Sequence, residues 1–187
     1  HPPKVLRDGE RDVLFAQQAE EAPVGRRVAG SHQQDSARIP LAELTDDFID
    51  QVFDLNCRQL IHCTRLAADV MRKQRSGNII NVSSIAARNG ASPGGSVYGC
   101  AKAFVSAFTK TVARELVGHN IRVNCVSPGT IHTSFHDRFS DEAKREAARK
   151  SIPMGRLGLA EDCAGTFLYL ASDKASAKQG RAPGEAG

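Results

Sequence analysis

From residue 38 to residue 172 the chain alternates between long stretches with apolar residues at helical spacing and short runs rich in β-branched residues. Phe48, Val52, Leu55, Gln59 and His62 share one helical stripe, with Phe53, Leu60, Leu66 and Val70 beside it. Thr45 precedes them as an N-cap, and Asp46 and Asp47 complement the helix dipole. A helix is therefore predicted from Thr45 to about Arg75, with Gly77 ending it. Asn78–Val82 is a short β-branched run, predicting a strand. Residues 85–96 carry Gly90, Pro93, Gly94 and Gly95 and read as a loop. Phe104, Phe108, Val112 and Leu116 mark one face of a second long helix from about Val97 to Leu116. Ile121–Val126 predicts a second strand, closed by Pro128-Gly129. Ser140-Asp141-Glu142 caps a charged helix to about Lys150, and a last helix runs from Glu161 to about Ala171.

The two strands are separated by one long helix, so they are predicted to pair in parallel through a right-handed crossover. Ile79-Ile80 and Cys125-Val126 set apolar residues side by side without alternation, as in strands covered on both faces. The fold class is α/β, a Rossmann-like doubly wound parallel sheet. In such sheets ligands bind past the carboxyl ends of the strands, here Ser83-Ser84 and Ser127-Pro128-Gly129. The flanks differ. Residues 1–37 are polar and poorly patterned, and only Asp12–Phe15 reads as a short strand. Residues 174–187 are small, polar and rich in Gly and Pro, which predicts a flexible tail.

Composition narrows the function. The 187 residues carry a formal net charge of +4 and 5% aromatic residues, with no Trp and no basic stripe, which argues against nucleic acid as a partner. No apolar run reaches the ~18 residues of a membrane span. The 5 cysteines have no CxxC spacing, so a reducing, cytoplasmic location is expected. His132 and His136 could share a metal, but no third ligand has suitable spacing and no metal is expected.

The candidate chemistry centres on the second helix. Tyr98 and Lys102 are four residues apart and share a face. A free phenol titrates near pH 10, and a neighbouring ammonium favours its charged form, which suits acid–base work. Taken alone, the pair is equally a surface helix pair. Ser84 stands fourteen residues before Tyr98 at a strand end, where its hydroxyl is either a substrate contact or a turn cap. Asn56 interrupts the apolar face of the first helix and needs buried partners. Cys100, between Tyr98 and Lys102, reads as a packed thiol.

Asp54-Leu55-Asn56, Gly77–Ser84, Tyr98-Gly99-Cys100-Ala101-Lys102 and Arg122–Gly129 occur in this order, followed by Met154–Gly158, Glu161-Asp162 and Ala171–Asp173. Together they resemble the short-chain dehydrogenase/reductase family, with 3-oxoacyl-acyl-carrier-protein reductases and sugar or alcohol dehydrogenases as the nearest-looking branches. The resemblance covers residues 38–173, which would form the catalytic part of such a domain. It implies hydride transfer between NAD or NADP and a small-molecule carbonyl or alcohol. Tyr98 would be the acid–base residue, and Lys102 would assist it and bind the nicotinamide ribose. Ser84 would hold the substrate oxygen and Asn56 a relay water. Pro128, Gly129, Ile131 and Thr133 would face the nicotinamide carboxamide, with residues from about Thr133 to Met154 as a substrate lid. A homodimer or homotetramer through helices 46–74 and 97–117 is implied as well.

The departures lie at the ends. No Gly-x-Gly-x-x-Gly or Thr-Gly-x-x-x-Gly-x-Gly occurs, so the loop that holds the pyrophosphate has no counterpart. Arg27-Val28-Ala29-Gly30 keeps only Ala-Gly of the family's Asn-Asn-Ala-Gly, and no Gly-Gly pair closes the chain. The chain opens on His1 rather than Met, pointing to a start further upstream. Two expectations follow: a sheet incomplete at both ends with an open apolar edge, and weak dinucleotide binding. The alternative function is a catalytically impaired, truncated remnant acting at most as an association module.

Overall fold

The computed structural model describes residues 5–8, 11–16, 38–132, 142–177 and 179. Among them, four strands form one sheet in the order β1 (Val5–Asp8), β2 (Arg11–Ala16), β3 (Gly77–Val82), β4 (Ile121–Val126). β2, β3 and β4 run parallel, with Val13 opposite Asn78 and Asn78 opposite Arg122. β1 returns antiparallel along β2, Val5 facing Leu14. The expected strand at Asp12–Phe15 is thus present, and the edge of β3 expected to lie open is covered by it. β1 had no legible pattern: four residues, two of them charged, carry too little periodicity.

Helices cover both faces, as the doubly wound class requires. On one side α2 (Gln59–Gln74) and α4 (Ser96–Leu116) pack over Ile79, Ile121 and Val123 through Ala68, Met71, Val112, Ala113 and Leu116. Further along, Leu60, Val105 and Cys125 continue that layer. On the other side α6 (Ala160–Ala171) sets Leu170 against Ile80 and Val126. Ile79, Ile80 and Val123 are fully buried, each contributing about 1.5–3 kcal/mol relative to exposure. α3 (Ala86–Asn89) is a single turn inside the expected loop, and α5 (Glu142–Ser151) is the charged helix. The capping residues proposed for α5, Ser140 and Asp141, lie outside the described residues.

Polar side chains also join the layers. Asn78 Nδ2 donates to the carbonyls of Leu170 and Ala171 at 2.8 and 3.3 Å. Arg122 donates to the carbonyls of Leu170, Ser172 and Ala175, placing a cation where the α6 dipole ends negative. On the free side of β4, Gln179 acts as a one-residue strand: its Oε1 accepts from Val123 N at 2.9 Å and its Nε2 donates to Ile121 O at 3.1 Å. Gln179 lies in the stretch expected to be a flexible tail; residue 178 and residues 180–187 lie outside the described residues.

The first long helix is not uniform. α1 (Asp46–Phe53), capped by Thr45 Oγ1 on Phe48 N, passes through a π turn at Asp54–Arg58 before α2 begins. The turn is widened, Gln59 N–H reaching back to Asp54 O, five residues away. The helix ends on Arg75, which takes the left-handed φ of 56° expected of a glycine, while Asn120 Nδ2 donates to its carbonyl. Gly77 therefore does not end the helix, as expected, but opens β3. A Cβ there would lie 2.6 Å from Met71 Cγ, so the glycine lets α2 approach the sheet. Gly77→Ala is expected to lower stability by about 1–3 kcal/mol through overpacking, read as a lower denaturant midpoint. An unchanged midpoint would mean Met71 repacks freely.

Candidate active site

The site is assembled where β3 and β4 end. Their pairing continues past the strands: Ser83 N–H donates to Val126 O at 2.8 Å and Ile85 N–H to Pro128 O at 2.9 Å. This zips the Ser83-Ser84 turn to the Ser127-Pro128-Gly129 turn. α4 crosses beneath and is latched to β3 at one residue. Lys102 Nζ donates to Val82 O at 3.2 Å, and Ser83 Oγ donates to Lys102 O at 2.7 Å. Ser106 Oγ backs this latch, 2.9 Å from Ser83 Oγ.

Lys102 is buried, with 3% of its surface exposed. Loss of hydration pulls its ammonium down to about 8, opposed by charge interactions with Cys125 and Cys57. Those thiols are themselves pushed up by burial. The ammonium lies 5.7 Å from the centre of the half-buried Tyr98 ring, a cation–π contact, so the helical spacing does bring Tyr98 and Lys102 together. Among the described residues, Val82 O is the one protein hydrogen-bond acceptor on Nζ, and an ammonium carries three N–H groups.

Ser84 is half-buried and its Oγ accepts from Ala86 N at 3.2 Å, the turn-cap contact; its own hydroxyl hydrogen is left to donate. Asn56 lies in the π turn, buried, and its Nδ2 donates to Val52 O at 2.9 Å. Its neighbour Cys57 is 3.9 Å from Ala101 O, which seats the π turn against α4 beside Lys102. Cys100 is exposed, contrary to the expected packed thiol, because two residues along a helix turn it away from the Tyr98–Lys102 face. Cys57, Ser106 and Cys125 were not legible as site neighbours, since only tertiary packing brings them to Lys102.

Beyond β4, Ile131 forms an isolated parallel bridge with Gly158. His132 N–H donates to Gly158 O at 2.6 Å and Gly158 N–H to Thr130 O at 3.0 Å. Gly129 is exposed and has open space where a side chain would stand. Gly158 is held by a clamp: Arg156 meets Asp162 through two nitrogens at 2.7 and 3.2 Å. Hydrogen bonds from Arg156 and Leu159 N hold the Asp162 carboxyl down at about 2. Thr133 and His136 lie outside the described residues.

A basic side chain and hydroxyls gathered past the carboxyl ends of parallel strands define a ligand-binding α/β domain of the Rossmann type. The chain belongs to the short-chain dehydrogenase/reductase family: the family model described as Enoyl-(Acyl carrier protein) reductase matches residues 23–182. It is 40% identical over 144 residues to 3-oxoacyl-[acyl-carrier-protein] reductase FabG of Thermotoga maritima, covering 77% of this chain and 58% of that protein. It is 39% identical over 137 residues to human Dehydrogenase/reductase SDR family member 4, covering 73% of this chain and 49% of the relative. Among solved structures, NAD+-bound xylitol dehydrogenase superposes with a TM-score of 0.72 at 25% identity, over 78% of this chain and 61% of that one. Acetoin dehydrogenase from Enterobacter cloacae gives 0.69 at 30% identity, over 78% and 56% of the two chains. The chain thus spans about half to three fifths of the length of these relatives.

The Lys102 environment yields a stability prediction. Its pKa is lower folded than unfolded, so the unfolded chain binds more protons between about pH 8 and 10.5 and stability rises with pH there. Lys102→Met is expected to raise stability at pH 7 by up to about 3 kcal/mol, with the gain shrinking towards pH 10.5. A gain in melting temperature that does not change with pH would show that charge burial is not its source.

Proposed function

We propose that the chain carries the catalytic half of an oxidoreductase moving a hydride between NAD or NADP and a carbonyl or hydroxyl substrate. The observation that carries this reading is the buried Lys102 ammonium against Tyr98, latched at the end of β3 beside the Ser84 turn. The residues fit the nicotinamide end of the cofactor. Lys102 has N–H groups to spare for a ribose hydroxyl, and Pro128, Gly129 and Ile131, with Thr133, form the chain leaving β4, where Gly129 admits close approach. When bound, the nicotinamide supplies or accepts the hydride; the protein supplies position and field.

The proton moves at Tyr98. Its hydroxyl gives a proton to the substrate oxygen as the carbonyl is reduced, and takes it back in the reverse direction. Lys102, a buried cation in a poorly hydrated site, stabilises the negative charge left on the phenolate oxygen. Ser84 donates its hydroxyl hydrogen to the same substrate oxygen and orients it. Asn56, on the π turn against α4, orders a water that, by way of Lys102, returns to the Tyr98 phenolate the proton given to the substrate; Lys102 passes one proton on and takes one from the water, ending as the ammonium it began as. Tyr98→Phe is expected to lower the rate of carbonyl reduction about 100-fold or more with unchanged circular dichroism, because only the proton donor is lost. Retention of a tenth of the rate would refute the role.

Buried thiols at Cys57 and Cys125, packed beside Lys102, fit a reducing, cytoplasmic location. Among these residues no helix is long and apolar enough to cross a membrane. Leu55, Leu66 and Val70 expose 46%, 58% and 53% of their surfaces along the first helix, which supports a homodimer or homotetramer through helices 46–74 and 97–117. Light scattering at micromolar concentration is expected to give a multiple of the 20.1 kDa chain mass, and a monomer would refute the assembly.

The missing glycine-rich loop also has a measurable consequence. With no pyrophosphate site in the sequence, NADH is expected to bind this chain within about threefold of reduced nicotinamide mononucleotide, since phosphate hydrogen bonds would otherwise add ~1.5–3 kcal/mol each. Calorimetry showing NADH a hundredfold tighter would reveal a phosphate site in residues 1–37.

A further inference from the structure

We infer that Arg156 and Asp162 are positioning residues for the cofactor, holding Thr130–His132 against the nicotinamide through Gly158. This rests on the functional reading above, which places Ile131 at the nicotinamide carboxamide. Two main-chain hydrogen bonds tie Thr130–His132 to Gly158, one from His132 N–H and one to Thr130 O. Ile131 also packs on that glycine, its Cδ1 standing 2.6 Å from where a Cβ would lie. Two hydrogen bonds and a packed side chain thus couple the position of Gly158 to that of the segment leaving β4.

Gly158 is held from three directions. Arg156 Nη1 donates to Leu157 O at 3.0 Å, just before the glycine. Asp162 Oδ2 accepts from Leu159 N at 2.8 Å, just after it. The same oxygen sits 3.8 Å from the Gly158 Cβ position, directly over the glycine. The ion pair closes the ring, joining the two anchors at 2.7 and 3.2 Å. Side-chain exposures of 47% and 42% mean that the pair adds little to global stability. Its two-pronged geometry instead fixes a direction, and what it directs is the peptide bonded to Thr130 and His132.

The test uses the full chain and reduced nicotinamide mononucleotide, which carries no adenosine. Asp162→Asn keeps an acceptor for Leu159 N–H and removes the charge; Asp162→Glu restores it. Amide exchange at His132 is expected to quicken about tenfold in Asp162→Asn and Arg156→Gln, with exchange in β3 and β4 unchanged. Mononucleotide binding is expected to weaken about fivefold in both variants and to recover in part with Asp162→Glu. Gly158→Ala, which displaces the Ile131 tip and leaves the ion pair alone, is expected to weaken the nucleotide likewise. Unchanged His132 exchange would overturn the clamp itself. Faster exchange with unchanged affinity would overturn its role in positioning. A wild-type chain whose Thr130–His132 signals do not respond to the nucleotide would overturn the functional reading, and the inference with it, while any change in exchange would still report the mechanical link.

Discussion

A buried ammonium governs the arrangement of this domain. Lys102 is bound at both ends, its Nζ to Val82 O and its own carbonyl to Ser83 Oγ, so α4 can take only one register against the end of β3. Desolvating that charge is unfavourable, and the carbonyl, the Tyr98 ring and two thiols offset part of the cost. Tyr98 stands one turn away on a helix with no freedom to slide. The strand-end turns are then joined by Ser83 N–H to Val126 O and Ile85 N–H to Pro128 O, which carries the same register over to β4.

The opposite face is organised by a different device. Arg122 and Asn78 gather the carbonyls at the end of α6, so that helix is seated by hydrogen bonds as well as by Leu170. The start of α6 carries the Arg156–Asp162 clamp and, through Gly158, touches the segment beyond β4. One helix thus connects the amino ends of the strands, where Asn78 and Arg122 stand, with the carboxyl ends, where the candidate site lies. Shared membership with reductases of the short-chain dehydrogenase/reductase family accords with this frame, since the matched region runs from residue 23 to residue 182 and includes both devices.

Much of this was legible in the residues. β4 was bounded correctly because Ile121–Val126 is a strand-length run closed by Pro128-Gly129, and α4 because its stripe from Phe104 to Leu116 persists over more than three turns. The Tyr98–Lys102 pairing followed from helical geometry alone. The end of the first helix did not, because Arg75 adopts a conformation usually reserved for glycine while Gly77 is used for close packing against Met71. Cys100 was misplaced because apolar content was weighed over angular position around α4. β1 was too short and too charged to carry a pattern.

The sequence by itself determined the α/β class, the parallel pairing of the central strands and the helix face that carries Tyr98 and Lys102. These depend on periodicity and connection length, which are local properties. Only the tertiary structure decided that Lys102 is buried, that the π turn carrying Asn56 seats against α4, and that Gly158 braces Ile131. Each depends on partners far apart in the chain: Val82 with Lys102, Ala101 with Cys57, His132 with Gly158. Burial and long-range hydrogen bonds arise from how elements meet, and no spacing along the chain encodes the meeting.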